Sequence, residues 1–326
     1  MDRDRWFALA RRTLSGELLT KEDGLTILQA ADSELLALLD AAFLVREQHF
    51  GKKVKLNMLI NAKSGLCAEN CGYCSQSSVS EAPVEKYSLI GKETLLAGAQ
   101  EALARKAGTY CIATSGHGPT EPELEQVIEA VKEIRATTPL KICACLGFLT
   151  AQQAERLAAA GVHRYNHNLN TSAERYPQIT STHTFEQRLE TVQEVARSGL
   201  SPCSGVIVGM GEQDEELVEL ASTLRELAVD SIPVNFLEPI AGTPLAEKER
   251  VSPSKALKVL ALFRLFCPDR EIRVAGGREQ TLRSLQPLAL YAANSLFVGG
   301  YLTTPGQEVS TDHQMIADLG FEIEER

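Results

Sequence analysis

The sequence predicts an α/β protein in which eight parallel strands close into a (β/α)8 barrel of the TIM type, behind an N-terminal helical extension. Eight short β-like runs follow one another along the chain, and they begin at Val54, Thr109, Lys141, His163, Pro202, Ser231, Glu271 and Ser295. Longer amphipathic stretches separate these runs. Strands that alternate with helices favour a parallel sheet, and eight is the number of such units that closes a barrel. An open doubly wound sheet is the alternative.

The first 50 residues differ from the rest because their apolar residues recur at helical spacing. The clearest stretch is LLALLDAAFLVREQHF from Leu35, and Gly51 follows it as a stop signal. No Pro-, Gly- or Ser-rich linker divides the remaining chain. We therefore predict two regions, a helical extension over residues 1–50 and a barrel with a C-terminal segment over residues 51–326.

Start and stop residues mark several of the helices between the predicted strands. Three Thr-x-x-Glu/Gln capping boxes begin at Thr120, Thr150 and Thr184. Three glycines are predicted to end a helix just before a strand, and these are Gly108, Gly161 and Gly199.

Composition excludes several classes of function. The 326 residues include 33 Lys and Arg against 43 Asp and Glu, so the net charge is −10 and no broad basic face for nucleic acid is expected. The longest apolar stretch, LKVLALFRLF from Leu257, is too short and too charged to cross a membrane. The N-terminus has no secretory apolar segment, so we expect a cytoplasmic protein. In that compartment clustered cysteines are expected to bind metal or act in catalysis rather than form disulfides.

Three cysteines lie close together after the first predicted strand. CAENCGYC places Cys67, Cys71 and Cys74 at the spacing C-x3-C-x2-C, so their thiolates can converge on one metal centre. A cubane iron–sulfur cluster prefers four thiolates, and three would leave one iron open to substrate or cofactor. A zinc loop completed by His117 and a set of incidental buried cysteines are the alternatives.

The octet CAENCGYC resembles the signature of the radical S-adenosylmethionine (SAM) enzymes. Tyr73, before the third cysteine, fits that pattern, and the resemblance implicates it in SAM binding. The stretch GVIVGMGE is similar to the family's Gly-x-Ile-x-Gly-x-x-Glu segment near the adenine, which implicates Ile207 and Gly209 in SAM binding. The resemblance implies a [4Fe-4S] cluster on the three cysteines, whose open iron chelates SAM. An electron from that cluster would yield a 5′-deoxyadenosyl radical that abstracts hydrogen from unactivated carbon.

Five further cysteines lie outside this triplet. They are Cys111 on the second predicted strand, Cys143 and Cys145 on the third, Cys203 on the fifth, and Cys267 late in a helix, where we expect a core residue. Alternate strand residues face a barrel interior, so thiolates from several strands could hold a second cluster, whereas a lone buried cysteine is ordinarily a small hydrophobe. Arg273 is mid-strand, and the residues alone leave open an inward salt bridge or an outward solvated position.

A wider resemblance, from about Lys52 to Leu319, is to the biotin synthase family. It is carried by SGLCAENCGYCSQS, YCIATSGHGP, KICACLG, YNHNLNTS, PCSGVIVGMGE, SIPVNFL, GTPL, IRVAGGREQ and LTTPG. The resemblance implies a [2Fe-2S] cluster that donates a bridging sulfide to dethiobiotin, held by Cys111, Cys143, Cys203 and Arg273. Hydrogen abstraction at C9 and then at C6 would close the thiophane ring, the last step of biotin biosynthesis.

The same resemblance implies roles for three asparagines at strand ends. Asn168 and Asn235 would contact dethiobiotin, and Asn170 would contact the SAM ribose, although many relatives have aspartate there. A neutral amide can still hydrogen-bond a diol. Without the family, turn chemistry would be the ordinary explanation for these residues. We expect His163 and His167 to be structural histidines with satisfied hydrogen bonds.

Cys143 and Cys145 require a choice, because residues two apart on a strand face the same side at a separation of roughly 6–7 Å. The family pattern Cys-x-x-Leu-Gly favours Cys143 as the ligand and leaves Cys145 as a small packing residue.

The resemblance further implies a flavodoxin or ferredoxin as electron donor and a homodimer. Two other functions remain open. One is a sibling radical SAM barrel in hydrogenase maturation or amino-acid rearrangement, which would have no reason to keep the second ligand set complete. The other is an iron–sulfur electron carrier, which would need neither a barrel of this size nor the asparagine run.

Overall fold

The computed structural model describes residues 3–325 as alternating strands and helices. The strands are β1 (Lys53–Lys63), β2 (Thr109–Thr114), β3 (Lys141–Cys145), β4 (Arg164–Asn166), β5 (Ser201–Cys203), β6 (Val206–Val208), β7 (Ser231–Phe236), β8 (Glu271–Val274), β9 (Ser295–Phe297) and β10 (Glu322–Ile323). The helices are α1 (Arg3–Leu14), α2 (Lys21–Leu28), α3 (Leu35–Phe50), α4 (Lys92–Ala104), α5 (Glu121–Thr137), α6 (Ala151–Ala160), α7 (Tyr176–Ile179), α8 (Phe185–Arg197), α9 (Asp214–Glu226), α10 (Pro253–Phe266), α11 (Arg278–Leu282), α12 (Gln286–Ala289) and α13 (Val309–Asp318).

The strands form a closed parallel barrel. Their order is β1-β2-β3-β4-β5-β7-β8-β9, and β9 pairs back with β1. Both β5 and β6 pair with β7, so they are two halves of one barrel strand. The eight predicted strands are therefore all present, and the closed barrel rules out the open doubly wound sheet. The additional strand β10 pairs with the beginning of β1.

The break between β5 and β6 lies at Ser204 and Gly205. A Cβ atom on Gly205 would lie 1.9 Å from the carbonyl oxygen of Pro233 in β7. Only glycine therefore allows the chain at this break to approach β7 so closely. Beyond the break, β6 also pairs with the segment that follows β4, because Asn170 forms a parallel bridge with Val206. The carboxyl end of β4 is thus held against β6.

The predicted helix ends are mostly confirmed. The capping boxes at Thr120, Thr150 and Thr184 are present, and Gly161 ends α6 with a φ of 98°. The prediction for Gly108 is wrong, because α4 ends at Ala104 and Lys106 makes the left-handed turn with a φ of 59°. Gly108 instead donates its N–H to the carbonyl of Leu56, 2.9 Å away, and so leads into β2.

The first three helices pack against the outside of the barrel. Trp6 of α1 and Leu38 of α3 are fully buried in the same apolar cluster as Leu260 and Phe263 of α10. The buried Arg46 of α3 also donates to the carbonyl oxygen of Ala293, at 3.0 Å. The predicted division into residues 1–50 and 51–326 stays a prediction, and residues 1, 2 and 326 lie outside the described chain. Within residues 3–325, no helix is both long and apolar enough to span a membrane.

Replacing Gly205 by alanine should destabilise the barrel, because the new Cβ would push β5 and β6 away from Pro233. We expect a loss of roughly 1–3 kcal/mol in the free energy of unfolding, the usual effect of overpacking. Urea unfolding of the metal-free protein measures it. Gly108→Ala is the matched control, since its Cβ would meet only the Leu56 carbonyl oxygen, at 3.9 Å. Equal losses in both variants would contradict the packing argument.

Candidate active site

The carboxyl ends of the strands surround one cavity of about 310 Å³. Most of the predicted site residues line it, and these are Cys67, Cys71, Tyr73, Cys74, Cys111, Cys143, Asn168, Asn170, Ile207, Asn235 and Arg273. Two predicted residues are not in its wall. Cys203 is buried, and its Sγ donates to Asn166, which does line the cavity. Gly209 lies just after β6 with a φ of 107°, and its N–H donates to Glu212 Oε1 at 2.6 Å.

The cysteine loop that follows β1 is held in place by backbone contacts. Gly72 donates to the carbonyl oxygen of Ile179 at 2.9 Å, and Cys74 donates to that of Cys71 at 3.1 Å. All three of its cysteines are free thiols. Burial raises the pKa of Cys71, and it raises the pKa of Cys74 to about 12. These thiols must therefore lose protons when they bind metal.

The donor set suits an iron–sulfur cluster better than a single ion. Within residues 3–325, no group of three or more His, Cys, Asp or Glu side chains is arranged to hold one metal ion. His117, the conceivable fourth zinc ligand, binds Glu69 through Nδ1 at 2.7 Å. In a cubane each thiolate binds a different iron, so three thiols that line one cavity suit that group.

Glu69, between the first two cysteines, anchors the loop from inside the motif. Its Oε2 accepts from His183 Nδ1 at 2.6 Å and from Thr182, while Oε1 faces His117. Burial raises the pKa of Glu69, but these hydrogen bonds together lower it by a larger amount. The net shift of the pKa is therefore downward. The sequence analysis missed Glu69 because its partners lie about 50 and 110 residues away, where no local pattern indicates them.

Arg188 connects His183, a partner of Glu69, to the segment after β4 that contains Asn168 and Asn170. Its Nη2 lies 3.0 Å from His183 Nε2, and its Nη1 donates to the backbone carbonyl of Asn168 at 3.0 Å. Since arginine only donates and the ionised Glu69 only accepts, His183 must carry its proton on Nδ1. The cysteine loop and the segment after β4 are therefore held at a fixed spacing.

Tyr73 and Asn170 meet at the cavity wall, where Asn170 Nδ2 donates to the tyrosine hydroxyl at 2.7 Å. Asn170 has a φ of 69°, a conformation that asparagine tolerates better than most residues. Its N–H donates to Gly205 at 3.0 Å and its carbonyl accepts from Ile207 at 2.8 Å. Two of the residues predicted to contact SAM are thus adjacent, and backbone hydrogen bonds hold Asn170 in place.

The two predicted substrate asparagines are oriented by the backbone. Asn168 Oδ1 accepts from Gly205 N at 3.0 Å, and its Nδ2 donates to no other described residue. Asn235 donates to Val206 O and accepts from Gly276 N, both at 3.0 Å. Each amide keeps hydrogen-bonding capacity for a ligand, because an amide offers two donors and two lone pairs.

Cys111 of β2 and Cys143 of β3 line the cavity together with Arg273, and Cys203 of β5 is buried outside its wall. Cys111 pairs directly opposite Cys143, and the two pack beside Phe297. The neighbouring Cys111 thiol raises the pKa of Cys143 well above its usual value, and burial raises the pKa of Cys203 to about 11. The charge of Arg273 partly offsets the rise in both pKa values.

Cys145 lies one layer nearer the mouth of the cavity, opposite Ala113. It lines the same cavity as Cys143, as the alternation on one strand predicts. Its sulfur accepts from Asn166 Nδ2 at 3.4 Å, while Asn166 Oδ1 accepts from Cys203 Sγ at 3.2 Å. Asn166, which the sequence analysis did not single out, therefore bridges two thiols. The choice between Cys143 and Cys145 stays a prediction.

Arg273 points inward and is 1% exposed. Its Nε donates to Glu271 Oε1 at 3.1 Å and to Ser295 Oγ at 3.3 Å, and its Nη2 donates to Ser231 Oγ at 3.1 Å and to Glu271. Burial lowers the pKa of this guanidinium, but Glu271 and the cysteines raise it more. Arg273 therefore combines the inward salt bridge with a place beside the thiols.

The expectation that the hydrogen bonds of His167 are satisfied is wrong for one of its two ring nitrogens. Its Nε2 is buried and has no hydrogen-bond partner among the described residues, although the side chain lines the cavity. Burial lowers the pKa of this imidazole well below its usual value, so it is neutral. His163 is exposed.

Two family models match the chain. The model described as the Radical SAM superfamily matches residues 63–224, and the Biotin and Thiamin Synthesis associated domain matches residues 233–322. Among solved structures, methylornithine synthase has a TM-score of 0.86 at 20% identity and covers 97% of both chains. The FeFe-hydrogenase maturase HydG from Carboxydothermus hydrogenoformans has a TM-score of 0.82 at 19% identity, over 98% of this chain and 79% of its own. A radical SAM barrel is the class that the fold and the cysteine loop define.

Relatives of much higher identity narrow this class. The biotin synthase of Bacillus pumilus (strain SAFR-032) is 60% identical over 98% of this chain and 97% of its own length. Those of Geobacillus kaustophilus and Halalkalibacterium halodurans are 59% and 58% identical, each over 98% of this chain and 96% of their own. The chain belongs to the biotin synthase family, and as a radical SAM protein it uses SAM and a [4Fe-4S] cluster.

The raised pKa of Cys74 predicts the pH dependence of its alkylation in the metal-free protein. With a pKa of about 12, the reactive thiolate fraction rises tenfold per pH unit and does not level off by pH 10. Iodoacetamide labelling followed by peptide mass spectrometry measures the rate. The same chain unfolded in urea is the control, and its rate should level off above an ordinary cysteine pKa of about 8.5. A plateau below pH 9 in the folded protein would show that burial does not hold this thiol protonated.

Proposed function

We propose that this chain is the enzyme that inserts sulfur between C6 and C9 of dethiobiotin to give biotin, the last step of biotin biosynthesis. Membership of the biotin synthase family at about 60% identity over nearly the whole chain supports this activity. The observation that carries the proposal is that one cavity is lined both by the cysteine loop and by Cys111, Cys143 and Arg273. Substrate bound between the two sets would have radical chemistry on one side and a sulfur source on the other.

The cysteine loop would hold the first cluster. When bound, the [4Fe-4S] cluster and SAM supply the radical that removes hydrogen from C9 and then from C6. The loop's own task is geometric, because Glu69, His183 and Arg188 fix it against the backbone of Asn168. Tyr73 and Asn170 would orient the nucleoside, and Ile207 and Gly209 at the end of β6 would flank it.

The substrate would lie on Asn168 and Asn235. A ureido ring has two N–H donors and one carbonyl acceptor, which complement amide groups that both donate and accept. Both side chains are already fixed by backbone bonds, so little conformational freedom would be lost on binding. Positions C6 and C9 would then face the remaining cavity.

We propose that a [2Fe-2S] cluster is held by Cys111, Cys143, Cys203 and Arg273 and supplies the sulfur. Thiolates are the usual ligands of such clusters. Cys143 is favoured over Cys145 because it lies directly opposite Cys111, whereas Cys145 is one layer closer to the mouth of the cavity. Arginine binds metal weakly because it normally stays protonated, which suits a ligand on a cluster that must give up sulfur.

The remaining expectations are also proposals. Leu66, next to the cysteine loop, is 49% exposed and offers an apolar contact for a flavodoxin or ferredoxin donor. Leu18 and Leu36, on the helical extension, are 67% and 65% exposed and would be covered in a homodimer. Eight free cysteines fit a reducing cytoplasm. We retain the division into residues 1–50 and 51–326.

The activity is tested by anaerobic incubation of the reconstituted protein with dethiobiotin, SAM and a reductant. We expect 5′-deoxyadenosine and biotin from the unaltered chain and neither product from Cys71→Ala, because the first cluster loses a ligand. Cys267→Ala is the matched control. The Cys267 thiol is buried outside the cavity and donates to the carbonyl oxygen of Ala221, so this variant should still form both products. Full SAM cleavage by Cys71→Ala would overturn the radical mechanism. Cleavage without biotin in the unaltered chain would favour a sibling substrate.

The second ligand set is tested by replacing the two cysteines of β3 separately. Cys143→Ser should lose the two-iron absorption and biotin formation while keeping the four-iron cluster. Cys145→Ser should keep both clusters and lower stability modestly, because serine still accepts from Asn166. Iron and sulfide analysis with visible spectroscopy measures both. The reverse pattern would move the ligand to Cys145.

A further inference from the structure

Below the proposed two-iron site the barrel floor contains a buried carboxylate, Glu271, that is 4% exposed. It lies on β8 two residues before Arg273, so both side chains point into the barrel. Three cations surround it. Arg164 Nη1 lies 2.9 Å from Oε2, Lys55 Nζ lies 3.5 Å from the same oxygen, and Arg273 pairs with Oε1.

The two oxygens of Glu271 divide these partners between them. Oε2 takes Arg164 and Lys55, which come from β4 and β1. Oε1 takes both Nε and Nη2 of Arg273, and it also accepts from Ser231 Oγ at 3.2 Å. One carboxylate oxygen of Glu271 therefore binds cations from two other strands, and the other oxygen binds the guanidinium of Arg273.

This arrangement fixes the orientation of Arg273. Its Nε and Nη2 are directed toward the floor, and Phe297 lies 5.1 Å from its Cζ atom. Nη1 makes no hydrogen bond with any other described residue. It is the end of the guanidinium left to face the cavity that Cys111 and Cys143 also line.

We propose that Glu271 is a positioning residue for Arg273, holding its guanidinium so that Nη1 is presented to the two-iron cluster. This inference rests on the proposed function. Glu271 itself does not touch the cluster. Partners of this kind orient metal ligands, and their loss typically weakens metal binding by about 10- to 100-fold.

Glu271→Gln is the variant of choice, because an amide oxygen can still accept from Arg273 while the charge and the shared contact with Arg164 are weakened. We expect the two-iron cluster to form but to be lost to a chelator about 10- to 100-fold faster than in the unaltered chain. Its visible and electron paramagnetic resonance spectra should also change. Glu271→Asp, which keeps the charge, should recover part of the retention.

Asp312→Asn is the matched control. Asp312 is fully buried and pairs with Arg278 at 2.8 Å, so it also loses a buried carboxylate–arginine pair, but neither residue lines the cavity. Asp312→Asn should unfold at a lower temperature than the unaltered chain, while its retention of the two-iron cluster stays unchanged. Thermal unfolding of metal-free Glu271→Gln separates a loss of fold from a loss of ligand positioning.

A double variant decides whether Glu271 acts through Arg273. In an Arg273→Met background, Glu271→Gln should cause no further loss of cluster retention, because the guanidinium to be positioned is gone. Equal effects of Glu271→Gln with and without Arg273, or unchanged retention and spectra in Glu271→Gln, overturn the inference alone. An unaltered chain that loads no two-iron cluster overturns the proposed site and the inference with it.

Discussion

The pairing of β9 with β1 is the constraint on which the rest of the structure depends, because it closes the sheet. In a closed parallel barrel, alternate residues of every strand must share one interior. Cysteines from β2, β3 and β5 and an arginine from β8 are thereby brought together although more than 150 residues separate the first from the last. An open sheet with the same strands would leave β8 far from β2, and the predicted ligands could not meet.

The second requirement is a fixed spacing between the two ends of the cavity. Thr182 and His183 connect the cysteine loop to α8 through Glu69, and Arg188 then binds the backbone after β4. The bridge between Asn170 and Val206 holds that same segment against β6. A radical that acts on carbon and a sulfur that must reach the same carbon both demand such rigidity, since small errors in approach cost large factors in rate.

The sequence predicted those features that depend on local pattern. Strands, capping boxes and the cysteine motif are each written within a few neighbouring residues, and family likeness supplied the more distant ligands. Gly108 was misassigned because the left-handed turn falls on Lys106 instead. A lysine disfavours that backbone conformation, and tertiary packing overrides its local preference. The split of the fifth strand and the partners of Glu69 and Glu271 could not be predicted, because they arise from contacts across the closed barrel.

The charges at the barrel floor explain why an arginine is tolerable beside three thiols. In the metal-free protein the pKa values of Cys143 and Cys203 are raised, so these thiols are protonated and Glu271 is the anion that faces Arg273, Arg164 and Lys55. A buried guanidinium is expensive unless it is paired. Bound thiolates would bring negative charge and their iron would bring positive charge, so the cluster does not replace this pairing. Glu271 therefore lets Arg273 be buried beside the thiols before any cluster is bound.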